Sequence, residues 1–121
     1  MSMVLVVEDE EDLSSFLRYV LEGDDFEVQT AATLAEAREK LSQGHPAAVI
    51  LDRGLPDGDG LDLCRELKGS DESHPPVLIL SALKEPAEIR KGLAAGADEY
   101  IVKPFRFVNV LSRVHALTSC A

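Results

Sequence analysis

The sequence is short of several features that mark common protein classes. No apolar run approaches the roughly 20 residues that a membrane-spanning helix needs, and residues 1–3 lack the basic region that opens a signal peptide. Lysine and arginine number 12 against 22 aspartates and glutamates, so the formal net charge is −10 at pH 7. Because phosphate contacts need clustered basic residues, direct binding to nucleic acid or to an anionic membrane is not expected. These absences predict a cytoplasmic protein, and any contact with DNA would require another domain.

Cysteine and histidine are scarce and scattered. Cys64 lies within a helical pattern and Cys120 lies next to the end of the chain, and the two form no Cys-x-x-Cys pair. Neither a zinc site nor a disulfide framework is therefore predicted. His45, His74 and His115 are far apart in the sequence, and the first two precede prolines in predicted loops. This arrangement gives a histidine metal site little support.

The apolar residues follow a regular alternation along the chain. Of the 121 residues, 45% are hydrophobic and 28% are charged, which fits one globular domain over residues 1–121. Strand-like apolar runs occur at residues 4–7, 26–30, 47–52, 77–80 and 99–102. After each run, apolar residues recur at helical spacing. Five strand–helix pairs without repeats or a linker predict an α/β fold, in which helices cover both faces of a parallel sheet.

Two of the predicted helices have well-defined apolar faces. The face of the first helix contains Leu13, Phe16, Leu17, Val20 and Leu21. The face of the last helix contains Phe107, Leu111, Val114 and Leu117. Between them, Thr33 and Glu36 have the spacing of a capping box, and Pro86 suits the first turn of the fourth helix. We expect both faces to pack against the sheet.

Connection rules restrict the order of the strands. Right-handed crossovers and a point at which the order reverses give the flavodoxin-like (βα)5 arrangement, a doubly wound sheet of order 2-1-3-4-5. In that order the first strand lies beside the third, and neighbouring strands are about 4.8 Å apart. Glu8 and Asp9 follow the first strand, and Asp52 ends the third. We therefore expect these three carboxylates to meet at the carboxyl edge of the sheet.

Three carboxylates at close range repel one another unless a positive charge lies among them. A hard divalent cation with oxygen ligands is the usual solution, so Mg²⁺ is the expected ion and Mn²⁺ the alternative. The other strand ends bring different groups to the same edge. Ser81 supplies a hydroxyl, Ala82 a small side chain beside a backbone N–H, and Lys103 an ammonium. Together these groups predict a site for a phosphoryl group.

Charge counting favours a phosphoryl group carried on Asp52. A phosphoryl group brings about −2 and Glu8 and Asp9 bring −1 each, whereas Mg²⁺ and Lys103 return about +3. The site approaches charge balance only with both the metal and the amine. Attack by a carboxylate on a phosphoryl donor gives an aspartyl phosphate, a known type of covalent intermediate.

The chain resembles the receiver domain of two-component response regulators over nearly its whole length. The matching motifs are Val6-Val7-Glu8-Asp9-Glu10, Leu51-Asp52 with Leu55-Pro56 and Asp59-Gly60, Ser81-Ala82, Gly92-Leu93 with Gly96-Ala97-Asp98, and Tyr100 with Lys103-Pro104-Phe105. Each motif is weak alone. Their order, with the site motifs at the predicted strand ends, makes the combination specific.

The resemblance implies roles for the acidic residues. Asp52 would accept a phosphoryl group from a histidine kinase or phosphotransfer protein. Asp9 would bind Mg²⁺ directly and Glu8 through water, and the backbone carbonyl of Gly54 would complete the protein's share of the metal shell. Such a protein is a signalling phosphoacceptor that promotes its own phosphorylation and dephosphorylation, and is not expected to be an enzyme.

The resemblance also implies how a signal would leave the site. Lys103, Ser81 and Ala82 would hold the phosphoryl oxygens, and the bond between Lys103 and Pro104 would be cis. The Ser81 hydroxyl would then move toward the phosphate and Tyr100 would swing inward. These movements would remodel the face made by the fourth helix, the fifth strand and the fifth helix.

Three other functions share part of this pattern. A phosphatase of the haloacid dehalogenase type needs a second aspartate two residues after the nucleophile, where this chain has Gly54. A flavin-binding protein of this topology needs a phosphate-binding loop after the first strand, where residues 8–12 are all acidic and repel phosphate. A pseudo-receiver, which has the same fold but binds partners without phosphorylation, remains the alternative, although the complete set of site residues argues against it.

The face made by the fourth helix, the fifth strand and the fifth helix is called the output face here, and on it the chain departs from the receiver pattern. In receivers of winged-helix transcription factors this face forms homodimers through crossed salt bridges, and Asp98, Glu99 and Arg113 match that pattern. Ile89 and Asn109 stand where a basic residue and a glutamate are expected. We therefore expect a weak or atypical dimer, or another partner. The sequence is equally compatible with a stand-alone regulator and with the N-terminal part of a longer one that carries an effector domain.

Overall fold

The computed structural model describes residues 2–69 and 74–119, which form a sheet covered by helices. The strands are β1 Met3–Val7, β2 Glu27–Ala31, β3 Ala48–Asp52, β4 Gly54–Leu55, β5 Gly58–Asp59, β6 Val77–Ser81 and β7 Glu99–Val102. The helices are α1 Glu11–Glu22, α2 Leu34–Gln43, α3 Gly60–Lys68, α4 Pro86–Ala94 and α5 Phe107–Thr118. Each of the five predicted strands and five predicted helices is present to within a few residues.

The strand order confirms the predicted topology. Five parallel strands follow the order β2-β1-β3-β6-β7, while β4 and β5 form a separate antiparallel hairpin. When the hairpin is left out of the count, this is the predicted order 2-1-3-4-5. Val7 of β1 lies opposite Leu51 of β3, so Glu8 and Asp52 each take the next position at the carboxyl edge.

The sheet separates two apolar cores, because alternate side chains of each strand point to opposite faces. All five residues of β3 and of β6 are buried, as expected for central strands covered on both sides. Leu51 and Ile79 pack toward α2, α3 and α4, whereas Ile50 and Leu78 pack toward α1 and α5. The central strand that ends in Asp52 is thereby held rigidly from both faces.

The prediction for Phe16 was wrong. Leu17 and Leu21 are fully buried, but the Phe16 residue is 57% exposed. The buried stripe of α1 is narrow because α5 covers only part of it. The Phe16 ring lies at the border, where it stacks on Phe107 of α5 with ring centroids 5.0 Å apart. In α5 the fully buried residue of the first two turns is Val110, and Phe107 is only partly buried.

The hairpin after β3 connects two helix N-termini. Asp57 accepts hydrogen bonds from the backbone amides of Leu34 and Ala35 at the start of α2, over 2.8 and 3.0 Å. Asp59 is the N-cap of α3 and accepts from the amide of Leu61 over 2.9 Å. Thr33 caps α2 as predicted, through the amide of Glu36. The acidic hairpin therefore satisfies helix amides.

Two parts of the sequence discussed above are not among the described residues. Cys120 and residues 70–73 of the predicted loop after α3 lie outside the described residues, while Cys64 is buried and free. Over residues 2–69 and 74–119, no helix is both long enough and apolar enough to cross a membrane.

Candidate functional site

The three acidic residues meet at the carboxyl edge of the sheet, as the strand order requires. Glu8, Asp9 and Asp52 each place one carboxylate oxygen within 4.8 Å of the others. Asp9 is exposed, whereas the Glu8 residue is 4% and the Asp52 residue 8% exposed. The site thus has two buried carboxylates and one that faces solvent.

Lys103 supplies the positive charge between the two buried carboxylates. Its Nζ donates to Glu8 Oε1 at 3.0 Å and to Asp52 Oδ2 at 3.3 Å. Lys103 follows β7, and its backbone amide donates to the Ser81 carbonyl over 2.8 Å, which ties this strand end to β6. The Lys103–Pro104 peptide bond is cis. One ammonium faces three carboxyl groups, so Lys103 can balance only part of their negative charge.

Burial and like charge change the titration of Glu8. Desolvation by burial raises its pKa from 4.5 to about 7, and the charge of Asp52 acts in the same direction. The Glu10 amide, which donates to Glu8 Oε2 over 3.1 Å, and the Lys103 ammonium act in the opposite direction without outweighing burial. For Lys103, burial would lower the pKa, but the hydrogen bond to Glu8 and the charge of Asp52 raise it overall. The lysine is therefore a permanent cation at neutral pH.

Ser81 ends β6 and is buried at the same edge. Its Oγ accepts a hydrogen bond from the Leu83 amide over 3.0 Å, while Ala82 beside it is exposed. The Leu83 carbonyl in turn accepts from the Tyr100 hydroxyl over 2.7 Å. Tyr100 is half-buried, and its ring packs against the core under α4. The loop after Ser81 is thus connected to both Ser81 and Tyr100.

Gly54 leaves open space next to the acceptor. Its backbone amide donates to Asp52 Oδ1 over 3.3 Å. Gly54 is exposed, and a Cβ added there would meet no heavy atom within 4 Å. Gly54 therefore orients the Asp52 carboxylate with its backbone, and the position can accept a side chain.

Sequence reasoning missed the burial of Arg53. The side chain is 6% exposed and pairs with Asp59 over 3.2 Å and with Glu88 over 3.7 Å. These two partners lie six and 35 residues away, and Arg53 is the only basic residue among residues 53–60. No local spacing indicates such a contact, because it depends on how α4 packs beside the hairpin.

The comparisons with known proteins agree with this fold. A family model described as response regulator receiver domain matches residues 4–115. The phosphate regulon transcriptional regulatory protein PhoB of Rhizobium meliloti is 44% identical over 115 residues, covering 94% of this chain and 51% of that protein. The KDP operon transcriptional regulatory protein KdpE of Escherichia coli is 42% identical over 114 residues, covering 94% and 50%. The chain spans about half the length of these curated relatives.

A solved structure extends the similarity to three dimensions. The receiver domain of the Francisella response regulator 1452 superimposes with a TM-score of 0.92 at 28% identity, covering 98% of this chain and 97% of that one. The sequence resemblance, the family match over most of the chain and the shared fold all agree. The chain belongs to the family of response regulator receiver domains of two-component systems.

Proposed function

We propose that this receiver domain accepts a phosphoryl group on Asp52 from a histidine kinase or phosphotransfer protein in a Mg²⁺-dependent reaction. The position of Asp52 and the groups around it support this proposal most directly. Its carboxylate lies at the end of a rigid central strand, holds one hydrogen bond from Gly54 and one from Lys103, and has Glu8 and Asp9 beside it. A nucleophile, a cation and additional oxygen ligands thus lie together at one sheet edge.

The donor set fits a hard divalent cation. Glu8, Asp9 and Asp52 offer carboxylate oxygens close together, and Lys103 neutralises only part of their charge. Oxygen ligands of this kind and number suit Mg²⁺ or Mn²⁺. Asp9 and Asp52 would hold the ion directly, Glu8 through water, and Gly54 would contribute its backbone carbonyl. When bound, the ion supplies positive charge that stabilises the phosphoryl oxygens.

The proposed transfer forms one bond and breaks one. An oxygen of Asp52 forms a bond to phosphorus, while the bond from phosphorus to the imidazole nitrogen of the donor histidine breaks and leaves its electron pair on that nitrogen. Lys103 stabilises the negative charge of the phosphoryl oxygens, because its ammonium already lies 3.3 Å from Asp52. Ser81 and the Ala82 amide, at the end of the neighbouring strand, would bind the remaining oxygens. The domain thereby acts as a signalling phosphoacceptor that promotes its own phosphorylation and dephosphorylation.

The proposed output is a change in the face made by α4, β7 and α5. Ser81 and Tyr100 both hydrogen-bond to Leu83, so a movement of the Ser81 hydroxyl toward a phosphoryl group changes the loop that Tyr100 contacts. Tyr100 lies on β7 beneath α4. We infer that this connection transmits the phosphorylation state of Asp52 to that face.

The proposed partners are a kinase, an effector domain and, weakly, a second copy. The curated relatives are about twice as long as the matched region and are described as transcriptional regulatory proteins, which supports an effector domain C-terminal to this one. Asp98 pairs with Lys68 over 2.8 Å, and Glu99 pairs with Arg113 over 3.3 Å, within the same chain. Because these charges already have partners, a dimer through crossed salt bridges is expected to be weak.

Phosphorylation of Asp52 is tested by mass. After incubation with acetyl phosphate and Mg²⁺, we expect an adduct of about 80 Da, one phosphoryl group, on the wild-type protein and none on Asp52→Asn. The variant keeps the size of the side chain but removes the nucleophilic carboxylate. Absence of an adduct on the wild-type protein would favour the alternative, a pseudo-receiver that binds partners without phosphorylation.

The lifetime of the phosphoryl group is expected to depend on Gly54 and Leu83. Both residues are exposed beside the site, so Gly54→Asn and Leu83→Glu change the approach of water without filling buried space. We expect each variant to be phosphorylated and to lose the phosphoryl group at a rate several-fold different from that of the wild type. Decay of the adduct after removal of acetyl phosphate measures this rate. Unchanged decay in both variants would contradict the prediction.

A further inference from the structure

Helix α4 is held to the rest of the domain by few apolar contacts. Gly92 is its one buried residue, and Leu93 is 48% exposed. By comparison, α1 buries Leu17 and Leu21. Elements with little buried apolar surface have low local stability, so individual polar contacts decide their position to a greater degree.

Arg53 makes such polar contacts with the first turn of α4. Its Nη1 donates to the Glu88 carbonyl over 3.3 Å, and its Nη2 lies 3.7 Å from Glu88 Oε1. Glu88 lies in the first turn of α4, while Arg53 is the residue directly after Asp52. Residues 53–59, which follow Asp52, form the phosphoacceptor loop. The buried guanidinium therefore joins this loop to a helix that is otherwise loosely held.

Arg53 has two further partners, the Tyr100 side chain and a carboxylate of its own loop. Asp59 accepts from Arg53 Nε at 3.4 Å and from Nη2 at 3.2 Å, and Asp59 also caps α3. If α4 moves away, Arg53 loses Glu88 but keeps Asp59. Since an unpaired buried charge would be strongly unfavourable, Asp59 is what allows the contact with α4 to break and reform.

The position of α4 is also tied to the Tyr100 ring. A Cβ added at Gly92 would lie 2.6 Å from Cδ2 of Tyr100, so the helix backbone rests directly on the ring. The Tyr100 hydroxyl donates to the Leu83 carbonyl in the loop that leads into α4. The helix and the ring therefore cannot move far independently.

We propose that Arg53 is a positioning residue that connects the phosphoacceptor loop to α4, and that α4 and the Tyr100 ring change position only when the contact between Arg53 and Glu88 breaks. This inference rests on the proposed function and names a residue that regulates its output. The contact between Arg53 and Glu88 connects the residue after Asp52 directly to the output face. This connection exists in addition to the one through Ser81 and Leu83.

Amide hydrogen exchange of the whole chain tests the contact. In Arg53→Met, which keeps a side chain of similar length without charge, we expect the amides of residues 90–94 in α4 to exchange about tenfold faster than in the wild type. In Glu88→Gln we expect a smaller increase, roughly threefold, because the backbone carbonyl still accepts from Arg53. Amides of β3 serve as the internal reference and are expected to be unchanged. Should Arg53→Met not fold, Glu88→Gln decides the outcome.

Lys91→Met is the matched control. Lys91 pairs with the same Glu88 carboxylate over 3.1 Å, but its side chain is 62% exposed and this pair lies within α4 itself. We expect its α4 amides to exchange as in the wild type. An increase equal to that of Glu88→Gln, or no increase in either Arg53→Met or Glu88→Gln, would overturn the proposal.

Addition of Mg²⁺ and beryllofluoride, an analogue of the phosphoryl group, tests the coupling. We expect the wild type and Lys91→Met to change their α4 exchange, and the change in Arg53→Met and Glu88→Gln to be at least about threefold smaller. An equal response in all four proteins would overturn the coupling. If the wild type neither responds nor forms the adduct with acetyl phosphate, the proposed function fails, while the comparison without beryllofluoride still decides whether Arg53 positions α4.

Discussion

Lys103→Met is expected to lower the rate of phosphorylation by acetyl phosphate about 100-fold, the effect of removing one group that stabilises charge in a transition state. The Lys103 ammonium lies 3.3 Å from Asp52, so it is placed to neutralise the oxygens of an incoming phosphoryl group. Methionine has a similar length and no charge. The rate is measured from the growth of the adduct by intact mass at saturating Mg²⁺.

Binding of Mg²⁺ separates this role from simple loss of structure. Lys103 pairs with carboxylate oxygens of both Glu8 and Asp52, and its positive charge repels an incoming cation. We therefore expect Lys103→Met to bind Mg²⁺ at least as tightly as the wild type while it is phosphorylated far more slowly. Lys84→Met, which changes an exposed lysine in the nearby loop after β6, is the control and is expected to behave as the wild type. A Lys103→Met protein phosphorylated at the wild-type rate would contradict the assigned role.

In the metal-free domain, the free energy of unfolding of Glu8→Gln relative to that of the wild type is expected to be about 2 kcal/mol greater at pH 8 than at pH 5. Burial raises the pKa of Glu8 to about 7, above its ordinary value of 4.5, so the folded state favours the neutral acid. The stability from protonated Glu8 is fully present below pH 4.5 and is lost as the pH rises through 7. Glutamine keeps the neutral form at every pH and avoids this loss.

Denaturant unfolding in EDTA between pH 5 and pH 8 measures the difference. The free energy of unfolding of the wild type is expected to fall relative to that of Glu8→Gln as the pH rises. Glu11→Gln, which changes an exposed carboxylate in the first turn of α1, is expected to follow the wild type. Added Mg²⁺ is expected to stabilise the wild type more than Glu8→Gln at pH 8. If the free energies of unfolding of the wild type and Glu8→Gln change in parallel with pH, the proposal that ionised Glu8 destabilises the metal-free domain is contradicted.

The positions of the site residues could be predicted because each ends a strand or follows one. The buried runs that end at Asp52 and Ser81 are short and continuous, and parallel strands with right-handed crossovers leave few possible orders. Once β1 lies beside β3, Glu8 and Asp52 must meet at one edge. The location of the candidate site thus follows from strand order, which apolar periodicity indicates well.

The contacts that depend on packing between helices could not be predicted. Arg53 reaches Glu88, 35 residues away, because α4 lies beside the hairpin, and Asp57 caps α2, whose N-terminus is 23 residues earlier in the chain. Phe16 fits the apolar period of α1, yet it is exposed because the width of the buried stripe depends on how α5 lies across it. Periodicity indicates which face of a helix is apolar, but the neighbouring element decides how much of that face is covered.

Among the clustered carboxylates, Asp52 is expected to be the one that carries the phosphoryl group. Borohydride reduces an acyl phosphate to an alcohol, so it converts a phosphorylated aspartate to homoserine and leaves free carboxylates unchanged. After treatment with acetyl phosphate and Mg²⁺ followed by borohydride, peptide mass spectrometry is expected to find homoserine at position 52. Homoserine at position 9, reduction of Glu8, or an unmodified Asp52 in protein that carries the adduct would contradict the assignment of Asp52 as the phosphoacceptor.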